Sequence, residues 1–506
     1  MRASAAVFAI AGSSYVALLL GVVRGILVMR LVGVVGRGLM QSVYVINRYT
    51  ANAHLGILHG LSKQLPLSIG ANDEEQAELV ESVGMTWVVA LTAIAALGMC
   101  LWGLSEPTAK RATGMAIVIG GGWLLAYQTH MLYRCVLRSW GNFELLAYVT
   151  LIDALAAFAL AVYGGYRWGF IGAMLGTLAA WLIDLLVIHF RSDIRIRVQW
   201  QTSVAFQLLK TGLLILLITF SDTLLRTIDG AVIIRYYDAY RFGLYSVGMQ
   251  MAAYMFTLPE AAGFVIWPKI IEAWGASGDT EKLRRHIEVP TTAAAWVMPL
   301  LAGSAHILLP VLIVLLVPEF AASTQPARIL TWGGIFLALP LATNSLLVAS
   351  GQELTVTVIR ACSGLTLGGA TYWLVQRQAP IVDIAYTAAA AYAVASLLSL
   401  VVVLPKYHRG WRLAGELAAC YLPTVWAIAS LRMAAYLAGG LMIPSEADVL
   451  WAMACLGFFV CLYGPGMIYA NYHRDLWNEA KLLVRDYKKA AGAPPNLPSE
   501  SEDREE

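Results

Sequence analysis

Long apolar runs separated by short charged or turn-rich breaks dominate the hydrophobic pattern of this 506-residue chain. Each run reaches the roughly 20 residues that a helix needs to cross the hydrocarbon core of a membrane. Strands of a membrane barrel need only about 10 alternating residues, so the runs predict transmembrane helices. The predicted spans, with approximate ends, are 5–31, 38–62, 83–104, 113–135, 144–163, 168–190, 208–234, 241–267, 290–317, 327–350, 355–376, 380–404, 414–437 and 448–471.

Composition supports this prediction. Hydrophobic residues make up 59% of the chain and charged residues 13%, whereas an ordinary soluble chain has about 25% charged residues. About fourteen spans would use about 280 residues and leave only short loops and one tail. The net charge of +3 is too small to indicate nucleic-acid binding.

Lysine and arginine cluster in the loops after spans 6, 8 and 12 and in the C-terminal tail. Positive loops are typical of the cytoplasmic side, so we expect both termini to be cytoplasmic. Lys110, Arg111 and Arg241 depart from this rule. Within the tail, Arg474 to Lys489 is predicted as a basic amphipathic helix, either docked on the inner leaflet or solvated, and the chain from Gly492 as disordered.

An internal repeat with an offset of 205 residues is the most informative pattern. Charged, aromatic and glycine positions recur at this offset: Arg30 with Arg235, Gly38–Leu39 with Gly243–Leu244, Tyr49 with Tyr254, and Gly70–Ala71 with Gly275–Ala276. An even number of spans separates the copies, which predicts two parallel lobes related by an axis along the membrane normal. Chance similarity between apolar sequences is the alternative.

The repeat divides the chain into four parts. Residues 1–200 are predicted as the N-terminal lobe (spans 1–6), 201–412 as the C-terminal lobe (spans 7–12), and 413–471 as two extra spans. Residues 472–506 form the predicted cytoplasmic tail. The predicted fold is all-α, with two pseudo-symmetric six-helix lobes.

Ionised side chains inside a bilayer cost about 2.5–3.5 kcal/mol each, so they are expected to face a cavity or a partner. They concentrate in the first two helices of each lobe, which predicts that spans 1, 2, 7 and 8 line a hydrated cavity. Asp153, Asp184 and Arg432 are further intramembrane charges. The candidate substrate-binding residues are Arg24, Arg30, Arg48 and Arg226, and the candidate coupling-ion or gating residues are Asp222, Asp229 and Glu260.

Each candidate has a structural alternative. Arg24, Arg30 and Arg48 suit an anion site, because guanidinium matches phosphate geometry, but they could also extend to the nearer membrane surface. On span 7, Asp222, Arg226 and Asp229 share a helical face and could bind substrate or an ion, or merely neutralise one another. Glu260 follows Pro259, so it could mark a hinge or proton site, or simply reach water.

The sequence contains no recognisable enzyme motif. Its eight histidines lack metal-ligand spacing, and intramembrane His54, His59 and His130 are interpreted as hydrogen-bonded core residues. The six cysteines lie in or beside apolar runs and are interpreted as small core residues. We therefore expect no enzyme activity, cofactor or bound metal.

Four stretches resemble the polysaccharide-type flippases, which move O-antigen or exopolysaccharide repeat units, of the multidrug/oligosaccharidyl-lipid/polysaccharide exporter superfamily. They are Arg30-Leu31-Val32-Gly33 through Gly38-Leu39, Ile228-Asp229-Gly230 through Phe242-Gly243-Leu244-Tyr245-Ser246, Leu258-Pro259-Glu260, and Trp267-Pro268-Lys269-Ile270. The resemblance covers residues 5–404, and spans 13 and 14 resemble an extra pair found in some members.

This resemblance implies alternating access around a central cavity in a bacterial inner membrane, with a polyprenyl-pyrophosphate-linked oligosaccharide as substrate. It implies that two six-helix lobes form a V, that helices 1 and 7 line the cavity between them, and that arginines bind the pyrophosphate. Our own hypothesis is that Arg24 and Arg48 bind the pyrophosphate and that Asp229 pairs with Arg24 or binds a coupling ion. Polysaccharide polymerase and glycosyltransferases are the implied partners. Asp222 and Asp229 depart from the family pattern, because they make the expected cavity mixed in sign.

The predicted function is therefore a flippase for a lipid-linked oligosaccharide in cell-surface polysaccharide synthesis. A multidrug or cation antiporter of the same superfamily is the first alternative, and acidic residues outnumbering arginines in the cavity would favour it. A membrane-embedded polymerase or glycosyltransferase is the second, and it would need a large catalytic loop that this chain lacks.

Overall fold

The computed structural model describes residues 3–192, 194–195, 197–277, 280–441, 448–474 and 478, and the regular secondary structure of this part of the chain is helical, without strands. The predicted all-α fold is confirmed. The α-helices are α1 Ala3–Thr50, α2 Ile57–Gly70, α3 Glu74–Ser105, α4 Arg111–Ser139, α5 Phe143–Arg191, α6 Thr202–Tyr236, α7 Ala239–Ser277, α8 Thr280–Leu316, α9 Thr324–Ala338, α10 Leu341–Ala349, α11 Glu353–Gln376, α12 Ile381–Val403, α13 Trp411–Leu441 and α14 Val449–Arg474.

Two helices are too long for one membrane crossing and break in the middle. With 48 and 49 residues, α1 and α5 would each measure about 72 Å, against a hydrocarbon core of about 30 Å. The breaks lie at Gly33 and at Trp168–Gly169, where both glycines adopt a positive φ that other residues disfavour. Beyond its break α5 turns back, so that Gly164 packs on Gly172. We call the end of the molecule that carries these breaks the reversal end.

Nine helical segments of the described chain are long and apolar enough to cross a membrane, which makes this a multi-pass membrane protein. Broken α1 and broken α5 each count once among the nine. The prediction of about fourteen crossings depends on counting both arms of such helices, and the exact number stays a prediction.

Each lobe has its own apolar core. In the N-terminal lobe, α1, α4 and α5 contribute Val43, Trp123 and Met174 to one buried cluster. In the C-terminal lobe, α6, α7, α9, α11 and α12 meet around buried residues that include Tyr245 and Tyr392. The last two helices, α13 and α14, pack on each other and on α8. They extend the C-terminal lobe on its α8 side.

The lobes meet at the reversal end in a reciprocal glycine contact. A β-carbon on Gly38 would collide with the carbonyl oxygen of Ala239, and one on Gly243 would collide with that of Val34. Gly38 and Gly243 are equivalent in the 205-residue repeat, and so are Val34 and Ala239. Each lobe thus uses the same two positions to contact the other lobe, and such a reciprocal contact is the signature of a two-fold axis. The repeat therefore relates the two lobes at their closest approach.

At the opposite end, α2 of the first lobe packs directly on α6 of the second. Gly56 approaches the backbone of Gly212, and a β-carbon on Gly60 would collide with the carbonyl oxygen of Leu208. Small residues allow the two backbones to touch without intervening side chains. The lobes are thus in contact at both ends of their interface.

Some predictions lie beyond what the structure tests. The domain boundaries at residues 200, 412 and 471 stay predictions. The amphipathic helix predicted from Arg474 to Lys489 lies outside the described residues, except for Arg474 and Asn478.

We predict that Gly38→Ala and Gly243→Ala each lower the free energy of unfolding by about 1–3 kcal/mol, because the new methyl group has no space at the lobe contact. Thermal unfolding of the purified protein in detergent measures this. Gly369→Ala is the matched control, since its β-carbon would have nothing within 4 Å. That change should stabilise the helix by about 0.5–1 kcal/mol. Equal effects at all three positions would contradict the close contact.

Candidate functional site

A cavity of about 590 Å³ lies between the arms of the N-terminal lobe and α6 of the C-terminal lobe. Three arginines line it, Arg48 from α1 and Arg134 and Arg138 from α4, together with the rings of Tyr44 and Tyr127. Among the described residues of its wall, none is acidic. We call it the arginine cavity. Its charge favours an anionic ligand.

Arg48 is held by a tyrosine one helical turn before it. Its Nε lies 3.1 Å from the Tyr44 hydroxyl oxygen, to which it donates. The guanidinium carbon also lies 5.0 Å from the centre of the Tyr44 ring, within cation–π distance. Of the predicted site residues, Arg48 is the one that lines this cavity.

A break in the chain after α1 shapes one wall of the cavity. Leu55 and Gly56 both adopt left-handed backbone conformations, and His54 Nδ1 accepts a hydrogen bond of 3.1 Å from the Gly56 amide. The Ala51 carbonyl freed by the break accepts a hydrogen bond from the Gln128 side chain. Non-helical backbone at membrane depth needs such partners, and it is tolerated where it lines a cavity.

A second polar group joins the lobes near the reversal end. Arg37 of α1 donates to the Ser246 hydroxyl and to the Gln250 side-chain oxygen of α7, each at 3.3 Å. Arg24 lies within electrostatic reach of Tyr254 on α7 and of Asp153 on α5. The predicted site residue Arg24 is therefore half-buried and close to the lobe interface.

On α6, Asp222 forms ion pairs with two arginines. Its carboxylate oxygens lie 2.9 Å from Nε of Arg226 and 3.5 Å from Nη1 of Arg360 on α11. The Arg226 guanidinium carbon lies 3.7 Å from the centre of the Phe256 ring. Arg48 lies within electrostatic reach of the same carboxylate. This group, the Asp222 triad, therefore adds positive charge beside the arginine cavity.

The structure separates Asp229 from the other predicted site residues. Its carboxylate is fully buried in the C-terminal lobe, where it accepts hydrogen bonds from the Tyr245 hydroxyl and the Gly230 amide. Tyr245, rather than Arg24, is thus its partner in this conformation. Arg30 is exposed near the reversal end, and Glu260 is exposed on α7.

Sequence reasoning missed four arginines: Arg37 and Arg360 at the lobe interface, and Arg134 and Arg138 at the cavity. Arg37 lies between two predicted spans, although it directly precedes the repeated Gly38–Leu39 pair that marks the lobe contact. Arg134 and Arg138 lie at the predicted end of span 4, where a charge normally reaches water. Only the packing of α4 shows that these two face the cavity.

Positive charge exceeds negative charge along this interface. Six arginines and three aspartates, of which Asp153 and Asp184 are buried inside the N-terminal lobe, take part in the contacts and electrostatic pairs that connect the groups: Arg24, Arg37, Arg48, Arg134, Arg226, Arg360, Asp153, Asp184 and Asp222. The interface can therefore accommodate an anion with more than one negative charge.

A family model described as "Polysaccharide biosynthesis protein" matches residues 124–324, from the middle of α4 into the start of α9. No curated protein matches the chain in sequence.

Several solved structures share the fold. A structure described as "Lipid II flippase MurJ, inward closed conformation" has a TM-score of 0.69 and 13% identity, covering 92% of this chain and 99% of its own. An inward-facing multidrug resistance MATE family transporter of the MOP superfamily has a TM-score of 0.60 and 14% identity, covering 79% and 95%. A MOP superfamily transporter from Pyrococcus furiosus, described as having a binding pocket of reverse polarity, has a TM-score of 0.56 and 13% identity, covering 81% and 96%.

The family model agrees with the predicted resemblance to proteins of polysaccharide synthesis. The solved structures confirm the predicted all-helical fold. The matched solved proteins are described as a multidrug resistance transporter and a lipid II flippase.

We predict that Asp222→Asn lowers the free energy of unfolding by roughly 1–3 kcal/mol, because it leaves Arg226 and Arg360 together without their shared carboxylate. Thermal unfolding measures the change. The matched control is Glu78→Gln, which removes an equally close ion pair, 2.8 Å from Arg197, in which both side chains are more than 60% exposed. Exposed pairs contribute at most about 1 kcal/mol. A larger loss in the control than in Asp222→Asn would contradict the structural role of the triad.

Proposed function

We propose that this protein is a flippase that moves a polyprenyl-pyrophosphate-linked oligosaccharide across the bacterial cytoplasmic membrane by alternating access. The observation that carries the proposal is the arginine cavity between two lobes, with three arginines and no acidic residue in its described wall. The match to a polysaccharide biosynthesis family model supports it. Cell-surface polysaccharide synthesis is the process that this transport would serve.

The cavity suits the two chemical parts of such a head group. Guanidinium groups bind phosphate oxygens in bidentate fashion, so Arg48 and Arg134 would bind the pyrophosphate. The rings of Tyr44, Tyr127 and Trp181 in the same wall offer apolar faces and hydroxyl groups to sugar rings. The hydrocarbon tail would stay in the bilayer while the head group crosses through the hydrated cavity.

The other predicted residues would act along the path. Arg24 and Arg226 would attract the head group from the interface, and Arg30 would contact it near the reversal end. Asp222 would restrain Arg226 until the pyrophosphate competes for it, because an anion and a carboxylate bind the same donors. Asp229 and Glu260 are proposed as gating or coupling residues.

The proposal includes the orientation and the partners. Both termini would face the cytoplasm, and glycosyltransferases and a polysaccharide polymerase would supply and consume the substrate. Membrane lipids would contact the outer faces of the helices, where large apolar side chains such as Leu19, Ile94 and Leu365 are exposed.

A multidrug or cation antiporter is the second candidate, because the fold is shared with a MATE family transporter. Such a protein would need acidic side chains in its cavity to attract a cation, and the described wall of the arginine cavity has none. The P. furiosus structure is described as having reverse pocket polarity and a different function. The sign of the cavity charge therefore favours the flippase.

We predict that Arg48→Ala and Arg134→Ala each reduce export of the polysaccharide by about ten- to a hundredfold, because each removes a charged hydrogen bond worth about 1.5–3 kcal/mol. A deletion strain complemented with each variant measures export, and thin-layer chromatography measures accumulation of the lipid-linked repeat unit. Arg48→Lys should restore part of the activity, since it keeps the charge but loses the bidentate geometry.

Arg167→Ala is the matched control, because this arginine is exposed at the reversal end. It should leave export unchanged. Normal export by both cavity variants at wild-type protein levels would overturn the proposed role of the cavity. Resistance to cationic drugs that depends on the protein, without any effect on polysaccharide, would favour the antiporter instead.

A further inference from the structure

Three potential metal ligands meet inside the N-terminal lobe, behind the wall of the arginine cavity. They are His130 of α4 and Asp153 and Asp184 of α5, and one nitrogen or oxygen atom from each lies within 4.8 Å of the others. Nδ1 of His130 lies 3.7 Å from Oδ2 of Asp184. We call these three residues the His-Asp-Asp cluster.

The reversal of α5 explains why residues so far apart in sequence meet. Asp153 lies 15 residues before Trp168, and Asp184 lies 15 residues after Gly169, so the hairpin places both at the same level. That level is about 22 Å from the reversal end, well inside the membrane. α4 packs on the second arm, as shown by the 2.8 Å hydrogen bond from Trp123 Nε1 to the Met174 carbonyl. His130 follows Trp123 by two turns and reaches the aspartates.

The cluster is buried, and several of its lone pairs lack hydrogen bonds. His130 is 1% exposed and Asp184 is fully buried. Within the described chain, Nδ1 of His130, Oδ1 of Asp153 and both carboxylate oxygens of Asp184 have no hydrogen-bond partner. Buried polar atoms are rarely left this way, because each one costs about 1–3 kcal/mol. One atom from each of the three residues lies close enough to the others to share a single bound ion.

We propose that the His-Asp-Asp cluster binds a first-row divalent cation of the zinc, cobalt or manganese type. One imidazole nitrogen with two carboxylate oxygens is a donor set that suits these metals, whereas calcium and magnesium prefer oxygen alone. Two carboxylates carry the charge that one divalent ion needs, and Arg24 and Arg134 also lie within electrostatic reach of Asp153. The sequence predicts no metal site, since no motif spacing connects these three residues; only the hairpin brings them together.

Arg134 connects the cluster to the arginine cavity. Arg134, one turn after His130, lines the cavity and lies within electrostatic reach of both aspartates. A bound cation would replace the Arg134 guanidinium as the partner of the two carboxylates. Arg134 would then be available to a ligand in the cavity. That consequence rests on the proposed function, but cation binding itself does not depend on what the cavity transports.

Equilibrium dialysis of the purified, chelator-treated full-length protein against ZnCl₂, with metal counted by atomic emission, tests the site. The Cys362→Ser/Cys461→Ser background removes the exposed thiols that could also bind zinc. We expect saturable binding of one zinc per chain and a rise in melting temperature. Cobalt bound from CoCl₂ should give a visible absorption band that indicates a nitrogen ligand. MgCl₂ should not compete with zinc for the site.

His130→Gln and the double variant Asp153→Asn/Asp184→Asn should each weaken zinc binding at least tenfold. Both replacements are similar in size to the original side chains, and the melting temperature without metal checks that the variants fold. His189→Gln and Asp383→Asn, at exposed positions, are the matched controls and should bind as the parent does. Absence of saturable binding, or equal affinity in the folded cluster variants and the controls, would overturn the proposal.

Discussion

The cost of placing an ionised side chain in hydrocarbon constrains this structure more than any other interaction. Arginines and aspartates in the middle of an apolar helix survive only beside an opposite charge, a hydroxyl or water. Several of these charges face the space between the two lobes, where Asp222 pairs with Arg226 and Arg360, and Arg37 donates to Ser246 and Gln250. The lobe interface is therefore polar inside a protein whose outer faces are apolar, and polarity of that kind can hold water and a charged head group.

The same interface is closed at its two ends by backbone contacts rather than by large side chains. At the reversal end, the equivalent residues Gly38 and Gly243 each contact the backbone of the other lobe. At the opposite end, Gly56 contacts the backbone of Gly212. Contacts of this type bury little side-chain surface, so separating them costs less than opening an interdigitated core. Lobes that touch in this manner can separate at one end of the interface while they stay in contact at the other end, as alternating access requires.

The sequence predicted the parts of this fold that repeat and that span the membrane. Apolar run length predicted the helices, and the recurrence of Gly38–Leu39 at Gly243–Leu244 predicted where the lobes are equivalent. It could not show which helical face a residue occupies once helices pack. Arg134 and Arg138 looked like charges at a helix end, yet they line the cavity, while Asp229, on the same face of its helix as Asp222, is buried against Tyr245. The approach of His130 to Asp184 depends on the reversal at Trp168–Gly169, which no local pattern reveals.

The central claim is that the lobes must separate at the reversal end for the head group to leave. Val35 and Tyr240 are exposed, equivalent positions beside the glycine contact. Cysteines at these two positions, in a protein that lacks Cys362 and Cys461, can be joined by a short cleavable bis-maleimide. The most direct measurement is flipping of a short-chain polyprenyl-pyrophosphate saccharide in proteoliposomes before joining, after joining and after cleavage. The account predicts that flipping stops when the positions are joined and returns on cleavage, with single-cysteine controls unaffected; flipping that continues at the original rate with the positions fully joined would contradict it.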